Sequence, residues 1–412
     1  MTERDYDIVM FGATGFVGRL TAEHLAKFAP EGTRIALAGR DRAKVEAVRG
    51  ALPGTAADWP VVVADSSNPA SLRALAESTR VVISTVGPYA KYGLPLVDAC
   101  ATAGTDYVDL TGEVLFVRES IDKFQDEANR TGARIVHSCG FDSVPSDLGV
   151  LVLAEAARAD DAGELGDTTL HMAMKGGASG GTVASAINQL DEVRGDKAKR
   201  KVATDKFSLS PDRAAEPSGE WRDSVAVRHS PEIDAWTAPF VMATFNTRIV
   251  RRSNALLGHA YGRSFRYREV QRTGKGIAGR LAAIAIAGGL GIGFGALNLK
   301  PIRPLVERVV PSPGEGPDAQ ARAAGWFKAE VRSTTTTGAP YRSIVAAQGD
   351  PGYAATAVML GESALSLALQ RDECPLPPGL NGGVLTPATA LGNVLADRLR
   401  ARGFTVEAGR SA

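Results

Sequence analysis

At 412 residues, with 44% hydrophobic and 23% charged side chains, the chain is long enough for two domains with sizeable cores and has the composition of an ordinary globular protein. A net charge of +1 excludes the strong field of a nucleic-acid binder. Three widely spaced cysteines (Cys100, Cys139, Cys374) argue against a disulfide framework or a zinc site and for a reducing, cytoplasmic setting.

The amino terminus, MTERDYDIVMFG, is charged and then becomes a strand, without the apolar core of a signal peptide. Asp7–Phe11 reads as a short apolar strand. Phe16–Phe28 reads as a helix, with Val17, Leu20, Leu25 and Phe28 near one face. The pattern repeats: strand Arg34–Ala38 and helix Asp41–Gly50, strand Val61–Ala64 and helix Pro69–Ala76, strand Val81–Thr85 and helix Leu94–Ala103. Strand Tyr107–Leu110, helix Val114–Arg130 and strand Arg134–Ser138 follow. Short β-branched runs bounded by helices predict a doubly wound parallel sheet of Rossmann type over residues 1–145. The rhythm then changes. Thr168–Lys175 looks like a strand and Thr182–Val193 a helix, while 195–275 resists assignment. Trp326–Thr336 and Tyr341–Gln348 look like antiparallel partners, and residues 311–320 like an exposed loop. Tyr353–Gln370 and Ala388–Arg402 read as helices, the second opened by Thr386-Pro387 as N-cap and first-turn proline. The expectation is an α/β chain: a Rossmann domain, an α+β domain over 146–350 with a mainly antiparallel sheet, and C-terminal helices over 351–412 that pack back on the first domain.

The first strand ends in Gly12-Ala13-Thr14-Gly15-Phe16-Val17-Gly18, directly before a helix. Glycines there let the backbone turn tightly and approach a pyrophosphate, which meets free N–H groups and the positive end of the helix dipole. This context predicts a dinucleotide site. Strand two ends in Ala38-Gly39-Arg40, with Arg42 and Lys44 behind, where an NAD-binding chain usually carries an acidic residue. A guanidinium suits a 2′-phosphate, so Arg40 points to NADP(H), with Asp41 as a complication and Arg42 and Lys44 read as a solvated helix face. Asp65 and Ser66 after strand three should lie near the adenine. Val86, Gly87 and Pro88 after strand four should lie along the ribose and nicotinamide.

Gly12–Gly18, Ser84–Tyr89, Tyr107–Glu113 (YVDLTGE), Gly140–Asp147 (GFDSVPSD), Ser179–Thr182 and Gly383–Pro387 together resemble the saccharopine dehydrogenase-like oxidoreductases. Within that family the chain is most similar to the trans-acting enoyl reductases of mycobacterial type. The resemblance covers nearly the whole chain. It implies NADPH-dependent reduction of a carbon–carbon double bond in a lipid or polyketide acyl intermediate, bound to a carrier or synthase. Two other readings stand beside it: a saccharopine-type imine or amino-acid dehydrogenase, which needs arginines converging on the cleft, and a non-catalytic NADP-binding protein associated with a membrane.

Enoyl reduction needs donors for an enolate and a proton for the α-carbon. Tyr89 is the first candidate donor, with Lys91 as a partner that lowers its pKa; aromatic packing of Tyr89 on the cofactor is the equal alternative. Glu113, Asp142 and Ser143 are weaker candidates, and Ser143 and Asp147 fit the capping and charge-matching of a helix start better than catalysis. His137, inside an apolar strand, reads as a satisfied core residue. Ser179-Gly180-Gly181-Thr182 reads equally as a loop that offers N–H groups to a substrate and as one whose glycines allow close packing. The uncharged run Leu281–Leu297, with basic residues Arg263, Arg266, Arg268, Arg272 and Lys275 upstream, has three readings: a buried domain or subunit interface (a homodimer among them), the wall of an acyl channel, or peripheral contact with the inner face of the plasma membrane.

Overall fold

The computed structural model describes residues 4–176, 180–217, 226–298 and 316–411. Tyr6–Phe11 (β1), Ile35–Gly39 (β2), Val61–Val63 (β3), Thr79–Ser84 (β4), Asp106–Asp109 (β5) and Arg134–Val136 (β6) alternate with helices. These are Phe16–Phe28 (α1), Arg42–Gly50 (α2), Pro69–Ser78 (α3), Tyr89–Tyr92 (α4), Leu94–Ala103 (α5), Val114–Thr131 (α6) and Val144–Ala159 (α7). The strands pair in parallel in the order β6-β5-β4-β1-β2-β3. Side chains of β1 alternate between two cores, Ile8 and Met10 in one and Val9 and Phe11 in the other, so both faces of the sheet are covered.

The second half opens with Leu165–Lys175 (β7), Gly180–Val193 (α8) and Lys197–Thr204 (α9). Arg228–Ser230 (β8), Ala235–Pro239 (β9), Ala243–Leu256 (α10), Arg266–Gly274 (β10) and Gly276–Asn298 (α11) follow. Trp326–Thr335 (β11) and Pro340–Gln348 (β12) form the expected antiparallel pair. Gly383–Leu385 (β13) then joins β6 in parallel as the seventh strand of the first sheet, and Thr405–Arg410 (β14) joins β12 in the second. The second sheet runs β14-β12-β11-β7-β10-β9-β8 and is antiparallel except where β10 lies along β7.

The carboxyl-terminal stretch therefore serves both sheets. Its helix Thr356–Leu369 lies against α1, where His24 Nε2 meets Glu362 Oε1 at 2.9 Å. Arg398 and Arg402 reach the same buried carboxylate at 2.8 and 2.7 Å, so its charge is paired inside the protein. Gly361 allows this approach, since a Cβ there would lie 2.7 Å from His24 Cδ2. α10 falls in the stretch the sequence left unassigned, because its buried Phe245, Ile249 and Val250 are interleaved with buried Asn246, Arg248, Arg251, Arg252 and Asn254, which blurs the apolar stripe. Their partners include backbone carbonyls: Arg252 donates to Leu209 O at 2.6 Å and Arg251 to Tyr267 O at 2.8 Å. α11 corrects one expectation for the apolar run. It is not buried between parts of this chain, as Leu281 is 61% and Ile292 76% exposed.

Candidate cofactor site and active-site cleft

Past β1 the chain turns through Gly12, whose φ of +93° lies where glycine is favoured. The Gly15 amide donates to Gly12 O at 3.0 Å and closes the turn. A Cβ at Gly12 would stand 2.6 Å from Thr85 Oγ1, and one at Gly18 would stand 2.2 Å from Gly12 O. The two glycines thus let the loop, α1 and the end of β4 close up on one another. Thr85 Oγ1 donates to Gly12 O at 3.0 Å and ties β4 to the loop. Gly15, at the N-cap of α1, brings no capping side chain, so first-turn amides and the positive end of the helix are left for an anion. Ala13 is buried, and Thr14 and Val17 are half-buried. Phe16 turns away to pack edge-on against Tyr353 at 4.9 Å, with the Arg322 guanidinium 5.4 Å over its ring. No sequence signal pointed to Arg322, whose segment arrives more than three hundred residues later in the chain.

Arg40 lies exposed just beyond β2 and has no hydrogen bond or ion pair among the described residues. Arg42 lies 3.4 Å from Glu46, and Lys44 3.8 Å from Asp41. Asp41 is the N-cap of α2 and accepts the Lys44 amide at 3.2 Å, which explains an acidic residue here without a ribose. Across the sheet edge, Asp65 accepts the Ser67 amide and hydroxyl, which hold its carboxyl below the usual range with help from the charge of Arg40. Ser66 stands half-buried in the same turn, and Val86, Gly87 and Pro88 follow β4 at the crevice.

Tyr89, the first candidate donor, turns its hydroxyl inward, and Lys91 lies at the surface. The Tyr89 ring is buried against Phe116, and its hydroxyl donates to Ser84 O at 2.9 Å inside the protein. Burial pushes its pKa well up, reinforced by the charges of Asp109, Glu113 and Asp142. Lys91 is exposed, and the charges that act most on the Tyr89 hydroxyl are those acids. Tyr89→Phe should therefore leave kcat within about twofold and cost about 1 kcal/mol of stability, the worth of one hydrogen bond, read by turnover and thermal unfolding.

Glu113 accepts the Tyr89 and Ala90 amides at 2.9 and 2.8 Å and the Ser185 hydroxyl of α8 at 2.6 Å. Burial raises its pKa, yet its oxygens are engaged in holding α4 and α8 together. Gln189 of α8 accepts the Val114 amide at 3.1 Å and ties the same helix to the start of α6. Of the loop before α8, Ser179 lies outside the described residues, and Gly180, Gly181 and Thr182 belong to the helix. His137 is satisfied as expected: its ring meets Asp109 Oδ2 at 2.7 Å and Ser120 Oγ at 2.9 Å, all fully buried.

Ser143 and Asp147 stand at the helix start the sequence suggests, at the N-cap and in the first turn of α7, but their side chains bond elsewhere. Ser143 occupies the N-cap without a side-chain cap bond and donates instead to Asn246 Oδ1 at 3.2 Å. Asp147 accepts Ser253 Oγ and the Ala388 amide, at 2.5 and 2.8 Å, and so caps the helix Pro387–Ala390. Asp142 differs from all of these. It follows β6, lies beside Gly112 with Oδ2 3.5 Å from where a Cβ would stand, and accepts no hydrogen bond among the described residues. Burial alone lifts its pKa to about 7.

The profile of the saccharopine dehydrogenase NADP binding domain matches residues 8–136. A Mycobacterium tuberculosis (strain H37Rv) protein provisionally named a trans-acting enoyl reductase is 52% identical over 421 aligned positions, covering 100% of this chain and 99% of that protein. The trans-acting enoyl reductase of Mycobacterium ulcerans (strain Agy99) is 47% identical, with 99% of each chain covered. Among solved structures, the saccharopine dehydrogenase (L-Glu forming) of Saccharomyces cerevisiae shares the fold with a TM-score of 0.55 at 11% identity, over 98% of this chain and 99% of that one. The chain belongs to the trans-acting enoyl reductase family of saccharopine dehydrogenase-like oxidoreductases and binds NADP(H).

Proposed function

We propose that the chain reduces the α,β double bond of an acyl thioester carried by a synthase or carrier protein, with Asp142 as the proton donor. The loop Gly12–Gly18 fits a dinucleotide diphosphate, because its tight glycine contacts leave the first-turn amides of α1 open. Arg40 would hold the 2′-phosphate, Asp65 and Ser66 the adenosine side, and Val86, Gly87 and Pro88 the ribose and nicotinamide side. When bound, the reduced coenzyme supplies a hydride to the β-carbon. Electron density then moves to the thioester oxygen, and the α-carbon must take a proton.

The observation that carries this assignment is Asp142: a carboxyl at the carboxyl end of the sheet, with no partner among the described residues and a pKa of about 7. A carboxyl raised this far by burial can hold its proton near neutrality, which suits an acid that gives one proton per turnover and recovers it from water. Glu113 ties α4 to α8. A saccharopine-type substrate carries several carboxylates and needs cations in the cleft, whereas the charges that act on Tyr89 beside Asp142 are those of the acids Asp109, Glu113 and Asp142 itself. The family names of the relatives support the same choice.

NADPH oxidation against a panel of enoyl thioesters, with an amine and 2-oxo acid pair as comparison, tests the reading. Turnover with enoyl thioesters alone supports it; turnover with the imine-forming pair alone overturns it. The cofactor assignment has its own test. Arg40→Ala should weaken NADPH binding by roughly ten- to a hundredfold, the worth of a charge-assisted hydrogen-bond pair, and leave NADH binding unchanged. Equal loss for both coenzymes, read by fluorescence titration, would remove Arg40 from that role.

A further inference from the structure

α11 has little cover from the rest of the chain. Ile277 is 79%, Leu281 61%, Ile284 50% and Ile292 76% exposed. At about 100° per residue, Ile277, Leu281 and Ile284 share one side of the helix, and the exposed Ile286 lies on the opposite side. A groove on a partner protein covers one apolar stripe, but hydrocarbon covers a helix all round. A Cβ at Gly288, Gly289, Gly291, Gly293 or Gly295 would meet nothing within 4 Å among the described residues, so these glycines do not serve close packing against them. In water they weaken the helix; in hydrocarbon the backbone can bond only to itself and the helix is enforced.

Charge points the same way. From Val270 to Val306 there is no Asp or Glu, while Arg272, Lys275, Arg280, Lys300 and Arg303 flank the uncharged run. Such flanks suit anionic headgroups. The part of α11 beyond Arg280, which ends at Asn298, measures about 27 Å, close to the ~30 Å of a hydrocarbon core. The root of α11 is fastened: Thr273 Oγ1 donates to Gly279 O at 2.8 Å, and Lys275 pairs with Asp234 at 2.9 Å. The Arg280 guanidinium sits 5.3 Å over the Trp236 ring, a pair suited to the membrane–water interface.

We propose that α11 inserts into the hydrocarbon of an anionic bilayer, with Trp236, Lys275 and Arg280 at headgroup level. β10 runs parallel beside β7, so α11 and α8 leave the same edge of the second sheet one strand apart. α8 reaches the cleft through Ser185 and Glu113, so that bilayer would lie on the cleft side and could present a long acyl chain. Delivery of an acyl chain rests on the reductase reading; insertion does not.

Flotation of the full chain with phosphatidylcholine–phosphatidylglycerol vesicles tests insertion. The parent should float, and the double variant Ile284→Asp with Ile292→Asp should bind about a hundredfold less or weaker still. NADPH binding and turnover of a short soluble substrate should stay unchanged in that variant; their loss in the parent would count against the reductase reading alone. A parent that stays in the aqueous fraction overturns the proposal. So does a double variant that floats equally, or a parent dimer that the substitutions split without any flotation. If the double variant does not fold, Ile292→Cys carrying a polarity-sensitive dye decides, since the three native cysteines are buried. A blue shift on adding vesicles supports insertion, and an unchanged spectrum overturns it.

Discussion

Asp142→Asn should lower kcat by about two to four orders of magnitude, the usual worth of a positioned general acid, with little change in NADPH affinity. Asparagine keeps the size of the side chain but has no acidic proton to give. The pH profile should change with it. Burial raises the Asp142 pKa to about 7, so the proton-donating form is complete well below that value and is lost as pH rises through it. In the parent, kcat should fall on the alkaline side of about 7; in Asp142→Asn that limb should vanish along with most of the rate. Stopped-flow turnover across pH measures both. A variant with parental kcat and the same alkaline limb would remove Asp142 from proton transfer.

Gly18→Ala carries the second large effect. The added Cβ would stand 2.2 Å from Gly12 O and 3.1 Å from Thr85 Oγ1, so α1 must move off the loop. Such overpacking costs about 1–3 kcal/mol, and here the displacement falls on the amides meant for the diphosphate. NADPH affinity should drop by roughly ten- to a hundredfold and the unfolding temperature should fall. Gly288→Ala, where a Cβ meets nothing among the described residues, is the matched control: it should leave NADPH affinity unchanged and should not lower the unfolding temperature, since alanine favours a helix. Calorimetric titration that gives parental affinity for Gly18→Ala would show that coenzyme does not use this junction.

The glycine loop and the acid stand at opposite ends of what the residue order reveals. The Gly12–Gly18 loop was legible because close backbone contacts demand glycine, and glycine at that spacing between a strand and a helix seldom serves another purpose. The parallel strands were legible because apolar runs bury both faces, and their observed bounds differ from the expected ones by a residue or two at most ends. β13 was not, being three residues in a glycine-rich stretch whose partner β6 lies some 250 residues away in the chain. β14 was missed because an edge strand reading TVEAGR shows little alternation. α10 was missed because buried polar side chains, bonded to carbonyls of other segments, are interleaved with its buried Phe245, Ile249 and Val250.

At the catalytic end, the nearness of Tyr89 and Lys91 in the chain suggested a pair, but residues two apart on a helical turn point in different directions. Asp142 looked no different from its neighbours, since what sets it apart is the protein packed around it. Ser143 and Asp147 likewise carry the composition of a helix start, while their partners, Asn246, Ser253 and Ala388, come from elsewhere in the chain.

Isotope tracing on one enoyl thioester tests the proposed reduction at its centre. With coenzyme deuterated at C4 of the nicotinamide, the saturated product should carry that label on the β-carbon; with unlabelled coenzyme in heavy water, the label should sit on the α-carbon. Coenzyme label at the α-carbon or on a reduced carbonyl, or oxidation of NADPH without any saturated acyl product, would contradict it.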